Sequence, residues 1–185
     1  MDKEDILIEA RLPGDDNWSN MLFLASAYAE AAEVLCSALQ EDDYAQQYTS
    51  TMVIRQLCRH AIELFLKGAI GMKSGHVLAT HRLDRLYPEY TRLYPNDVFH
   101  FTMPIPKELL SSEDFFADEL ESYQRDDAEK YRYPASRQGQ SFASMSAFDV
   151  GEEMKVIENL RSAINHLGFQ LAERFQKIYR PGGLF

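Results

Sequence analysis

The chain has 185 residues, of which 45% are apolar and 26% charged, and carries a formal net charge of −10 with a pI near 4.9. That length suits one domain with a sizeable core. The excess of acid excludes indiscriminate binding to nucleic acid, which rests on Lys and Arg neutralising phosphates.

The acidic start Met1-Asp-Lys-Glu-Asp5 precedes no apolar stretch of the signal-peptide kind. Residues 1–17, with a Pro13-Gly14-Asp15-Asp16 turn, read as a flexible lead-in. Ser19 is the candidate N-cap of a first helix running to about Gln40, rich in the strong helix formers Ala, Leu and Glu. Met21 to Leu39 is the most apolar stretch, but Glu30 and Glu33 interrupt it, so no membrane span is expected and the cytoplasm is the expected compartment. A second helix spans about Ser50 to Met72, because Ile54, Leu57, Cys58, Ala61, Ile62, Phe65 and Ala69 recur at helical spacing. Gly75 terminates it.

Thr80 is the candidate cap of a third helix to about Tyr94, closed by Pro95-Asn96-Asp97, with Leu83, Leu86, Tyr90 and Leu93 on one side. The aromatic set Tyr87, Tyr90, Tyr94, Phe99 and Phe101 suits packing between elements. Pro104 and Pro106 forbid a long helix there. A fourth, acidic helix is expected over about Glu113 to Lys130, and residues 131–148 read as a short hairpin or irregular insertion. The last helix, from about Asp149 to Tyr179, carries the clearest stripe: Ile157, Leu160, Ile164, Leu167, Leu171, Phe175 and Ile178. The whole reads as one all-α domain over 1–185, an antiparallel bundle of four main helices with the insertion at 131–148.

Charge is unevenly spread. Between Arg55 and Arg92 seven basic residues face three acids, a local charge of +4; between Glu113 and Glu129 eight acids face Arg125 alone, a local charge of −7. Cys36 and Cys58 lie in helical patterns, which makes them buried thiols rather than a disulfide or a zinc pair, since two ligands do not complete a structural zinc site. A di-iron bundle needs Glu-x-x-His pairs, and the nearest approach is Asp97-Val-Phe-His100 beside a loop. No metal or cofactor is expected.

Two Arg–His pairs with four intervening residues carry the chemistry: Arg55 with His60 and Arg161 with His166. Histidine exchanges protons near neutral pH, and arginine grips phosphate oxygens in a fork. Arg161 and His166 are about 140° apart around a helix, so one helix cannot aim both at one phosphorus atom. A symmetric dimer can, since two such helices contribute two of each to a shared cleft. Ser162 and Asn165 stand one turn from His166 and Arg161 and suit orienting a substrate or the ring. Arg55 and Arg59 are one turn apart and suit clasping an anion, while His60, Glu63 and Lys67 share the polar face of their helix and suit an ionic network. His76 and His81 suit capping and packing as well as binding.

The stretch from Arg59 to Ile70, then Gly75-His76 and Thr80-His81-Arg82-Leu83-Asp84-Arg85-Leu86, resembles the helix pair of HEPN domains, and Arg132-Tyr133-Pro134 resembles part of some members. These helical bundles occur in prokaryotic toxins, defence systems and nucleotide-binding modules. Arg161-Ser162-Ala163-Ile164-Asn165-His166 fits the place on the last helix where nuclease members carry their Arg and His. The resemblance covers roughly residues 20–180 at the level of helix order. It implies a homodimer acting on RNA by metal-independent cleavage, with His166 in proton transfer, Arg161 stabilising the phosphorane, and Arg55, Arg59, His60, Ser162 and Asn165 as substrate contacts. It also implies an alternative, a non-catalytic module that binds a nucleotide, an RNA or a cognate partner protein in a stress or defence system. Ser162 replaces the commoner Asn or Asp of the family, and Leu167-Gly168 stands where some toxin members place a Tyr.

Overall fold

The computed structural model describes residues 16–41, 47–104, 117–130, 132–133 and 148–179. The described residues form five helices: α1 (Asn17–Glu41), α2 (Gln47–Ser74), α3 (Leu83–Leu93), α4 (Ala117–Glu129) and α5 (Val150–Tyr179), with a 3-10 turn at Asp97–Phe99. The all-α class read from the sequence is therefore the observed one. The lead-in up to residue 15, the first residues of the expected acidic helix and nearly all of the expected 131–148 insertion lie outside the described residues.

Three helices make the centre of the bundle. Trp18 at the start of α1 touches Gly68 and Gly71 near the end of α2, so these two run antiparallel. Cys36 and Glu33 near the end of α1 meet Val150 and Arg161 of α5, so that pair is antiparallel too. Arg55 and Glu153, each near the start of its helix, pair across α2 and α5, which are therefore parallel. Helix α3 packs on α2.

Helix α1 presents Leu22, Ala25, Ala29, Ala32, Cys36 and Leu39 to the core, spaced by three and four residues in alternation. Four of these six side chains are small, which lets α2 approach closely. Length and composition alone would allow α1 to cross a membrane, despite Glu30 and Glu33; here it lies against α2 and α5. From α2 come Ile54, Ile62, Phe65, Leu66 and Ile70, all fully buried, and from α5 Ile157, Leu160, Ile164, Leu167 and Leu171. Each large apolar side chain so buried contributes about 1.5–3 kcal/mol relative to exposure.

The helix ends correct two expected caps. Asp16, not Ser19, caps α1: its carboxylate accepts from the Trp18 and Ser19 N–H groups, both at 2.8 Å, and from the Ser19 hydroxyl. Its charge also complements the positive end of the helix dipole, which the neutral Ser19 does not. Helix α3 starts at Leu83 with Arg82 at the N-cap, so Thr80 lies outside it and accepts the Arg82 N–H at 3.1 Å. Gly75 does end α2: it adopts φ +75° and donates its N–H to the Gly71 carbonyl at 2.8 Å, a left-handed position that glycine fills without a Cβ clash.

The aromatic run packs as its composition suggests. Tyr90, Tyr94 and Phe99 are buried beside Phe65 and Phe101. Tyr90 donates to the Phe99 carbonyl at 2.6 Å and Tyr94 to the Ala69 carbonyl at 2.8 Å, so neither buried hydroxyl lacks a partner. Burial pushes the Tyr94 phenol up to about 12. Cys36 and Cys58 are buried free thiols, and burial, with Glu153 nearby, pushes Cys58 up to about 12.

The α1–α2 contact depends on missing side chains. A Cβ on Gly71 would sit 2.4 Å from the Trp18 ring, whereas one on Gly168 of α5 would meet nothing within 4 Å. Gly71→Ala is therefore expected to destabilise by about 1–3 kcal/mol through overpacking. Gly168→Ala is expected to stabilise by about 0.5–1 kcal/mol through helix propensity. Urea unfolding of the two variants checks the opposite signs.

Candidate functional site

The residues singled out on α5 do not meet on one chain. Arg161 forms an ion pair with Glu33 of α1 at 2.7 Å, and Asn165 accepts the Ser26 hydroxyl of α1 at 2.6 Å. Both reach α1 from the surface, and Asn165, like His166 and Ser162, is exposed. The partner of the His166 ring is Gln170, 3.0 Å from Nε2 and one turn on, rather than Ser162.

The pair Arg55 and Arg59 is also divided. Arg55 bonds Glu153 of α5 at 3.0 Å and lies over the Phe148 ring. Arg59 is only 4% exposed and forms a buried ion pair with Asp127 of α4. The expected joint clasp on an anion does not form, because each guanidinium is held by a carboxylate of a different helix. Two buried charges persist only when paired, since the desolvation of either alone costs several kcal/mol. Asp127 also holds Lys130 at 2.8 Å.

One turn further along α2, a second carboxylate gathers the rest. Glu63, expected on a polar surface, is buried, 1% exposed. Its Oε1 accepts from Lys67 at 2.8 Å and from His81 Nδ1 at 2.7 Å; its Oε2 accepts from Arg132 at 3.1 Å. His60 Nδ1 stands 3.9 Å from Oε2, too far for a hydrogen bond, and its ring meets Tyr28 edge-on at 4.5 Å between centroids. Burial opposes ionisation of Glu63, but His60, Lys67 and His81 outweigh it and hold the carboxyl well below the usual range. Beside this cluster Arg82 bonds Asp84 at 2.8 Å, Gln124 at 2.6 Å and Glu121 at 3.4 Å. The acidic helix α4 thus supplies counter-charges to the basic segment.

The ionised state of Glu63 settles the hydrogen on His81. A carboxylate can only accept, so the hydrogen of this contact lies on His81 Nδ1. The His81 side chain is 64% exposed. Three buried nitrogens of the cluster, Arg59 Nε, His60 Nδ1 and Arg132 Nε, have no hydrogen-bond partner among the described residues. Among the described residues linked through Glu63 and Asp127, four permanent cations (Arg59, Lys67, Lys130 and Arg132) answer two carboxylates. Among the described residues no three His, Cys, Asp or Glu side chains converge as a metal-binding group.

Sequence reasoning named Arg59 and His60 as ligand contacts and Glu63 and Lys67 as a network. It left His81 and Arg132 outside the site. Nothing local ties residues 18 and 69 positions away to Glu63; the two histidine-bearing and arginine-bearing segments of the family resemblance were the available signal.

Glu63 carries an acid-side dependence with a definite sign. Its folded value is depressed below the 4.5 of the unfolded chain, so the stability it contributes is fully present above that pH and is lost as pH falls. Between about pH 4 and pH 2, wild-type stability is expected to fall more steeply than that of Glu63→Gln, by about 1.4 kcal/mol per pH unit. Urea unfolding at a series of pH values measures the two slopes. Compared with known proteins, the chain matches no family model, no curated protein and no solved structure.

Proposed function

We propose that this protein is a HEPN-like helical domain that acts on RNA, and that its ligand is held through phosphate at the cationic cluster around Glu63. One observation carries the reading: among the described residues linked through Glu63 and Asp127, four permanent cations share two carboxylates. Phosphate oxygens supply acceptors that match a guanidinium fork. The surplus of positive charge is local. The rest of the chain is acidic, which suits a confined contact with one or two phosphates rather than coating of nucleic acid. The cytoplasm is the compartment this reading requires.

A second reading is cleavage by Arg161 and His166 in a homodimer. It is supported by the exposure of His166, whose ring nitrogen meets the neutral Gln170. Phe23, one turn before Ser26, and Phe169, one turn after Asn165, are 49% and 65% exposed on the same stretch of the α1–α5 seam. A second copy that covers these rings would bring two such histidines together.

Arg132→Ala is expected to weaken binding of single-stranded RNA and to reduce the slope of log affinity against log salt by about 0.7, the loss of one phosphate contact. Fluorescence anisotropy across a potassium chloride series measures this, and an unchanged slope rejects the site. In the second reading, His166→Ala abolishes RNA cleavage in EDTA while changing stability by less than about 0.5 kcal/mol. Light scattering would give a dimer mass at micromolar concentration; a monomer mass rejects the composite cleft.

A further inference from the structure

Helix α1 is apolar on two opposite sides. Leu22, Ala25, Ala29, Ala32, Cys36 and Leu39 point into the core. About half a turn away lie Phe23, Ala27, Ala31, Val34 and Ala38, all exposed, with Phe23 at 49% and Val34 at 65%. A surface helix ordinarily turns polar residues outward, and one that is apolar all round is a buried helix. Helices α2 and α5 pack against α1 and bury the first side only. Glu33 turns to Arg161 of α5. That leaves Glu30 as the charge in the middle of the outer face, exposed and without an ion pair or hydrogen bond among the described residues.

We propose that this outer face docks one amphipathic helix of a partner protein, a helix with an apolar stripe and a Lys or Arg set against Glu30. The form of the occupant follows from the surface. Phe23, Ala27 and Ala31 make one row stepping by four residues, and Glu30, Val34 and Ala38 make a second. The groove between two such rows accepts the matching row of another helix. From Phe23 to Ala38 the face is roughly 22 Å long, about four turns. A helix has no free backbone edge, so an added strand finds nothing to pair with.

The charge of the occupant follows from Glu30. Apolar cover on this face takes the carboxylate out of water, which is costly unless a cation meets it. A second copy seated through its own α1 supplies none, because residues 17–41 contain no Lys or Arg. The same absence, on a chain of net charge −10, sets α1 apart from helices that lie on lipid, which carry Lys and Arg on their polar side. The face is separate from the Glu63 cluster and does not rest on the phosphate-binding reading.

The test uses the full-length protein and two synthetic helical peptides of about 18 residues, roughly five turns. They share a leucine stripe and differ in one central residue, Lys or Glu. In fluorescence anisotropy, wild type is expected to bind the Lys peptide about tenfold or more tightly than the Glu peptide, since like charges set together penalise the wrong partner. Glu30→Lys is expected to reverse that order. Val34→Asp, at an exposed position, is expected to keep the wild-type Tm and to weaken the Lys peptide about tenfold or more. No binding of either peptide overturns the proposal, and so does equal binding of both that Glu30→Lys leaves unchanged. Two further measurements read the other occupants. A wild-type dimer by light scattering that Val34→Asp splits gives the face to a second copy. Flotation of wild type, but not of Val34→Asp, with phosphatidylcholine vesicles gives it to lipid. Either result overturns the proposal, whereas a dimer that Val34→Asp leaves intact uses another surface and leaves the peptide result in force.

Discussion

The Glu63 carboxylate sits inside the protein, where an unpaired charge would be forced to neutralise or to unfold its surroundings. It stays ionised because donors arrive from three parts of the chain: Lys67 from its own helix, His81 from the segment before α3, and Arg132 from just beyond α4. Satisfying that one group fixes where those segments end up. The loop after α2 must return to bring His81 back, and the chain beyond α4 must pass close enough for Arg132 to reach. The same constraint that folds the outer elements onto α2 also assembles the histidine, the guanidinium and the ammonium into one place.

A second buried charge works alongside. Arg59, one turn before Glu63, needs a counter-ion, and α4 provides Asp127. This explains how a segment with a local charge of −7 coexists with a phosphate-binding reading. The acidic helix places part of its charge inside the structure, on Arg59 through Asp127, and part at the surface, on Arg82 through Glu121. Those pairs do not have to add stability relative to an apolar core. Breaking one partner away from the other is what costs, because it strands a charge. The bundle centre tolerates this polar flank because it is closed by other means, the small-residue face of α1 and the glycines of α2 that admit Trp18.

The two histidine sites differ in how they are supported. His166 is exposed on α5, and on one chain Arg161 is engaged by Glu33. His81 is held within a single chain by a buried carboxylate.

Helix identity was legible in the sequence because it is a local property. The spacing of Ile157, Leu160, Ile164, Leu167 and Leu171 states which face of α5 is inward, and the structure buries those five side chains. Gly75 as a terminator is likewise local, since only its own φ is at stake. The caps were less legible: Asp16, Ser19 and Thr80 all carry suitable oxygens, and which one serves depends on where the first turn actually closes. The site was the least legible. Periodicity put Glu63 on a polar face with His60 and Lys67, yet burial depends on what lies across from that face, and Arg132 comes from 69 residues away. Sequence determines which residues can be ionised and which side of each helix is apolar. Tertiary structure alone decided that Arg59 and Glu63 would be covered, because a charge may be buried only where distant segments deliver its partners.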